Sequence, residues 1–165
     1  MSESITIDKS LSKADKYNRL LPQIEALVKD ETDITANLGQ ICAALKYSMV
    51  GFFWVGFYMR QGNELVLGPF QGPVACSRIK IPNGVCGTAA QHKQTIIVDD
   101  VDKFPLHIVC SSESKSEIVV PVFYNDIVIA VLDVDSDSYA NFDATDKKYL
   151  EELCKLVSYL MGRIA

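Results

Sequence analysis

Three cysteines and three carboxylates of the 165-residue chain are spaced in ways that could do chemistry. Cys76, Cys86 and Cys110 each sit in glycine- or serine-rich sequence, on a loop or at a helix start. Cys110 lies in the polar segment HIVCSSESKSE, three residues after His107. A thiolate so placed can attack an oxidised sulfur, become a sulfenic acid and be resolved by a second thiol as a disulfide. The same cysteines could equally be part-buried thiols with no reaction to perform. A zinc site is a weaker reading, because the chain has no CxxC pair and only two histidines. Cys42 and Cys154 stand among leucines at helical spacing and are expected to be inert packing.

The carboxylates favour the redox reading. In IVIAVLDVDS, Asp133 and Asp135 alternate along a strand and share one face, which is expected to continue as Val131, Ile129 and Ile127. Two carboxylates at the end of an apolar face are costly unless a cation or hydrogen-bond donors meet them, although strand-end acids can simply face water. Glu117 opens the partner strand and is the third candidate. A two-residue turn at Asn125-Asp126 pairs Tyr124 with Ile127, and that register sets Ile118 against Asp133 and points Glu117 away. Bringing Glu117 round requires a three-residue loop or a bulge, for which Pro121 is the natural place since it cannot donate.

Trp54, the single tryptophan, lies in the alternating run FFWVGFY. Such a residue is usually core, but beside carboxylates an aromatic face helps hold an ammonium or a soft sulfur group. Acids, an aromatic ring and thiols together suit a small substrate with a positive amine and a reactive sulfur. Oxidised methionine fits that description.

The elements that must position these residues are legible as periodicity. A helix is expected over residues 11–29, with a kink or a start near Pro22, and a second after Asp33 as N-cap. Residues 49–59 and 65–70 read as a hairpin, 78–81 as a short strand, 84–93 as a short helix and 95–99 as a strand. Residues 101–115 read as a long loop, 118–124 and 127–135 as the strongest strand pair, and a final helix follows Asp143 as N-cap. Hairpins flanked by helices imply an α+β fold. Its antiparallel sheet would carry helices on one face and loops covering a pocket on the other.

Composition bounds the rest. The length suits one domain spanning residues 1–165, and 48% hydrophobic with 22% charged residues is globular. A net charge of −5, with no basic stripe, argues against nucleic acid. No apolar run spans a bilayer and the N-terminus lacks a secretory layout, so a cytoplasmic setting with reduced thiols is expected.

The segments GPFQGPVACSRI, NGVCGTA, HIVCSSESKSEIVVP and VLDVDS, in this order with the WVGFY strand, resemble the free methionine-R-sulfoxide reductases, which are single GAF-type domains. The resemblance runs along nearly the whole chain. It implies that Cys110 is the nucleophile and that Cys76 resolves it as a Cys76–Cys110 disulfide, with Cys86 the third cysteine of the pattern. It further implies that Glu117, Asp133 and Asp135 hold the substrate, that Trp54 and Tyr58 form an aromatic wall, and that thioredoxin restores the dithiol without a bound cofactor or metal. Ala130 stands where glycine is usual, so pocket shape could differ. A homodimer is expected by likeness to stand-alone GAF-type domains. The competing class is a non-catalytic GAF-type sensor for a small ligand.

Overall fold

In a computed structural model, residues 5–105 and 112–163 are described. Cys110 and its neighbours in 106–111 lie outside the described residues. The order is α1 (Lys13–Val28), α2 (Ile34–Ser48), β1 (Trp54–Gln61), β2 (Glu64–Gln71), β3 (Arg78–Lys80), α3 (Gly84–His92), β4 (Ile96–Val98), β5 (Ser116–Tyr124), β6 (Ile127–Ser136) and α4 (Ala144–Gly162). A single 3₁₀ turn, Val101–Lys103, lies within the segment expected to be loop. The strands form one antiparallel sheet in the order β3-β2-β1-β6-β5-β4, so the two central strands are β1 and β6.

Each helix follows from its local sequence. Ser12 and Asp33 cap α1 and α2 by accepting backbone N–H groups, and Asp143 with Asp146 forms a complete capping box on α4. Pro22 neither starts nor ends α1, which runs through it. The buried face of Tyr17, Leu20, Ile24 and Val28 offsets the roughly 3 kcal/mol that an internal proline costs. Among the described residues no helix is long and apolar enough to cross a membrane.

The sheet divides the interior. Val55, Phe57, Ile118, Val120, Val122, Leu132 and Val134 pack with α1, α2 and α4 into the larger core. Trp54, Tyr58, Val119, Val128 and Val131 face the other way, under Ile79, Ile81, Val85, Cys86, Ala89 and Val101. The central segments therefore cover the second face as expected, and the short helix α3 is part of that cover. Residues 49–53, expected to begin the first strand, precede it instead.

The β5–β6 hairpin turns on Asn125-Asp126, both with positive φ, as a two-residue primed turn requires. Tyr124 pairs with Ile127 and Phe123 with Val128, but Val122 then pairs with Ala130. A bulge thus leaves Ile129 as the extra residue, one step nearer the turn than the expected Pro121. Ile129 consequently packs toward the helix side, and the acid face continues from Val131 to Val128. Ala130 likewise sits in the helix-side core, away from the acid face, so its methyl group leaves that face unchanged.

Asp146 ties the two ends of the chain together. Fully buried, it accepts from Tyr17 Oη at 2.8 Å, Lys13 Nζ at 2.5 Å and the Asp143 N–H at 2.9 Å. Asp146→Ala should cost about 3 kcal/mol by leaving these donors unmatched, read as a lowered urea midpoint with an unchanged m-value.

Candidate active site

The bulge decides which residues meet. Beyond it, Glu117 pairs with Asp135 across β5–β6, and Asp135 pairs with Trp54 across β1–β6. One step along, Val119 pairs with Asp133, and Asp133 with Gly56. Trp54, Tyr58, Glu117, Asp133 and Asp135 therefore share one face of three adjacent strands. Glu117 joins the aspartates, which the unbulged hairpin register denied.

Glycine makes room for the tryptophan. A Cβ at Gly56 would lie 2.2 Å from Trp54 Cη2, and one at Gly72 would lie 2.5 Å from Trp54 Cδ1, with Gly72 also at φ +144°. The indole lies over the backbone, donates from Nε1 to the Pro73 carbonyl at 3.0 Å, and stacks between Phe70 at 5.3 Å and Tyr58 at 6.0 Å. Phe70 belongs to this aromatic group although sequence reading passed over it. A bulge opposite Gly56 and Tyr58, where Pro69 falls, brings it there.

The acids are buried, and among the described residues no cation pairs with them. Glu117 and Asp133 are each 7% exposed, while Asp135 keeps more contact with solvent. Burial, first, and then the neighbouring carboxylates push Glu117 and Asp133 well above the usual carboxylate range. The two carboxyls hydrogen-bond each other, which requires a proton between them. Burial raises Asp135 to about 6, against the lowering effect of a hydrogen bond from Ser114 Oγ to its Oδ1. One Asp133 oxygen, Oδ1, is buried and has no partner among the described groups. A buried orphan acceptor of this kind suits a donor brought by a ligand.

The cysteines separate by place. Cys86, in the first turn of α3, is buried, and its thiol donates to Glu117 Oε1 at 4.0 Å with Asp133 beside it. Burial and then the surrounding acids hold this thiol well above its ordinary value, so it is a neutral donor. Cys86, Glu117 and Asp133 also present ligand atoms within 4.8 Å of one another, close enough to hold a metal ion. Cys76 is disulfide-bonded, whereas Cys42, Cys86 and Cys154 are free. Tyr58 Oη donates to the Cys76 carbonyl at 3.0 Å, linking the aromatic group to the cysteine segment. Cys42 and Cys154 are buried in the helix-side core, as expected from their leucine neighbours.

A GAF-domain family model matches residues 28–161. The chain is 42% identical to the free methionine-R-sulfoxide reductase of Saccharomyces cerevisiae, over 95% of this chain and 92% of that one. It is 54% identical to GAF domain-containing protein A of Dictyostelium discoideum, over 95% and 99%. This chain belongs to the GAF-domain family of free methionine-R-sulfoxide reductases. In the solved structures, that of the Neisseria meningitidis free methionine-R-sulfoxide reductase with its substrate superposes with a TM-score of 0.92. The identity there is 49%, covering 96% of this chain and 95% of that one. Family membership and the α+β architecture thus agree with the resemblance drawn from the motifs.

Each acid of the cluster binds its proton more tightly folded than unfolded, where an aspartate titrates near about 3.9. The stability this contributes is complete below that value and is lost as pH rises through the folded value, about 6 for Asp135. Asp135→Asn should therefore gain stability relative to the wild type between about pH 4 and pH 7, by about 3 kcal/mol. Urea unfolding at several pH values reads this, and a pH-independent difference would contradict the buried acid.

Proposed function

We propose that this chain reduces free methionine (R)-sulfoxide to methionine, with Cys110 as nucleophile and Cys76 as resolving thiol. The observation that carries the reading is the group of three carboxyls beside Trp54 on one sheet face, with no cation paired to them among the described residues. Close relatives named for this reaction support it.

A sulfoxide oxygen leaves readily only when protonated. The Glu117–Asp133 pair, sharing a proton, can supply one at neutral pH because burial keeps it there. Asp135, the most accessible of the three, is an anion above about pH 6 and pairs with the substrate α-ammonium. A methionine sulfoxide within a peptide has no such ammonium, which favours the free amino acid. Trp54 and Tyr58 receive the methylsulfinyl end, where sulfur and aromatic faces attract. Acids fixed on one wall also favour one sulfoxide epimer.

In the first step the Cys110 sulfur attacks the sulfoxide sulfur, the oxygen passes to Cys110 as a sulfenic acid, and methionine leaves. The Cys76 thiol then displaces water from the sulfenic acid, forming the Cys76–Cys110 disulfide. Support for this step comes from Cys76, which is disulfide-bonded while the other described cysteines are free. A thioredoxin dithiol reduces the disulfide, becoming oxidised in turn, and no bound cofactor enters. Cys86 takes the part of a neutral donor to Glu117. A homodimer in the cytoplasm, where thioredoxin keeps thiols reduced, completes the proposal.

The decisive assay is thioredoxin-coupled NADPH consumption with each separate free epimer. Turnover with the R epimer alone is expected, and none with either would favour a ligand-binding sensor. Cys110→Ser should lose all turnover, while Cys76→Ser should complete one round and stop. Asp135→Asn should raise KM roughly thirtyfold, from loss of a charge-assisted contact worth about 2 kcal/mol. An unchanged KM would make the acids a solvated strand end.

A further inference from the structure

Ser114 touches the acid group and has no part in the reaction above. It is 8% exposed, and its Oγ donates to Asp135 Oδ1. The backbone beside it is fixed opposite the same strand. Lys115 N donates to the Ser136 carbonyl at 2.7 Å, and Ser116 pairs with Ser136 immediately before Glu117 pairs with Asp135. The hydroxyl therefore arrives from the segment leading into β5 with little freedom to turn elsewhere.

The groups around Asp135 give this contact its weight. Glu117 faces it from β5, Asp133 from its own strand, Cys86 from α3 and Tyr58 from β1. Each of these is neutral or negative, and none is a cation. Among the described residues, Ser114 is the one side chain that donates to Asp135. Glu117 and Asp133 bond each other, so the proton of the acid group resides there and Asp135 is the carboxyl left to carry charge. A neutral hydroxyl can select this outcome because it strengthens as a donor when its acceptor ionises.

We infer that Ser114 is a positioning residue that sets substrate specificity, by holding Asp135 as the aimed anion that recognises a free α-ammonium. The inference deepens the reductase reading and rests on it for the substrate, but the state of Asp135 can be observed without any reaction.

Two measurements test it. In carbon-13 NMR of the substrate-free protein, the Asp135 carboxyl of Ser114→Ala should titrate about one unit higher than in the wild type, and that of Ser114→Thr should stay in place. In the coupled assay, the acid limb of kcat/KM should move up by the same interval in Ser114→Ala. KM at pH 6 should then rise about fivefold, kcat should change less than twofold, and the variants should converge above pH 8. An unmoved Asp135 titration would overturn the inference, as would an equal loss at every pH. A wild type inactive on both epimers, with the NMR shift intact, would remove the reductase reading and leave the Ser114–Asp135 coupling standing.

Discussion

A single unpaired residue, Ile129, sits between the tight turn of the β5–β6 hairpin and the rest of its ladder, and every later pairing is displaced by one. Side chains in a strand alternate with a period of two, so one extra residue exchanges the faces of everything beyond it. Glu117 is thereby carried onto the face of Asp133 and Asp135, while Ile118 joins the helix-side core. Without the bulge, a glutamate would be driven among Ile118's apolar neighbours, and the acid group would lose a member. The hydrophobic core and the candidate site thus depend on the same local insertion.

The consequence is electrostatic. Three carboxyls converge where the described residues supply no cation, and removing like charges from water is costly unless protons are retained. The proposed reduction uses such a retained proton, which it hands to the departing oxygen. The surrounding donors, Cys86 and Ser114, are neutral, so they orient the carboxyls without cancelling their charge. The orphan oxygen of Asp133 fits a surface completed by its substrate.

The opposite face of the sheet has a different task. Tyr17, Lys13 and the capping box converge on Asp146, locking the first helix to the last one over a closely packed core. That rigid backing allows β1 and β6 to lie side by side under Trp54, where two glycines let the indole rest directly on the backbone. The aromatic group then reaches the cysteine-bearing segment through the Tyr58 hydroxyl.

Periodicity and capping residues were enough to determine the helices, the short central strands and the final hairpin, because those signals are local. The same-face relation of Asp133 and Asp135, the inert burial of Cys42 and Cys154, and the family motifs were also present in the sequence by itself. The position of the bulge was not, since Pro121 and Ile129 are both compatible with the local pattern, and only packing of both faces at once chooses between them. Phe70 and Ser114 escaped notice for a related reason. Their partners lie on other strands, so their contacts exist only once the register is set. Tertiary structure alone decided that Glu117 faces the aspartates and that Cys86 is a sealed donor, because both depend on which residues are excluded from water together.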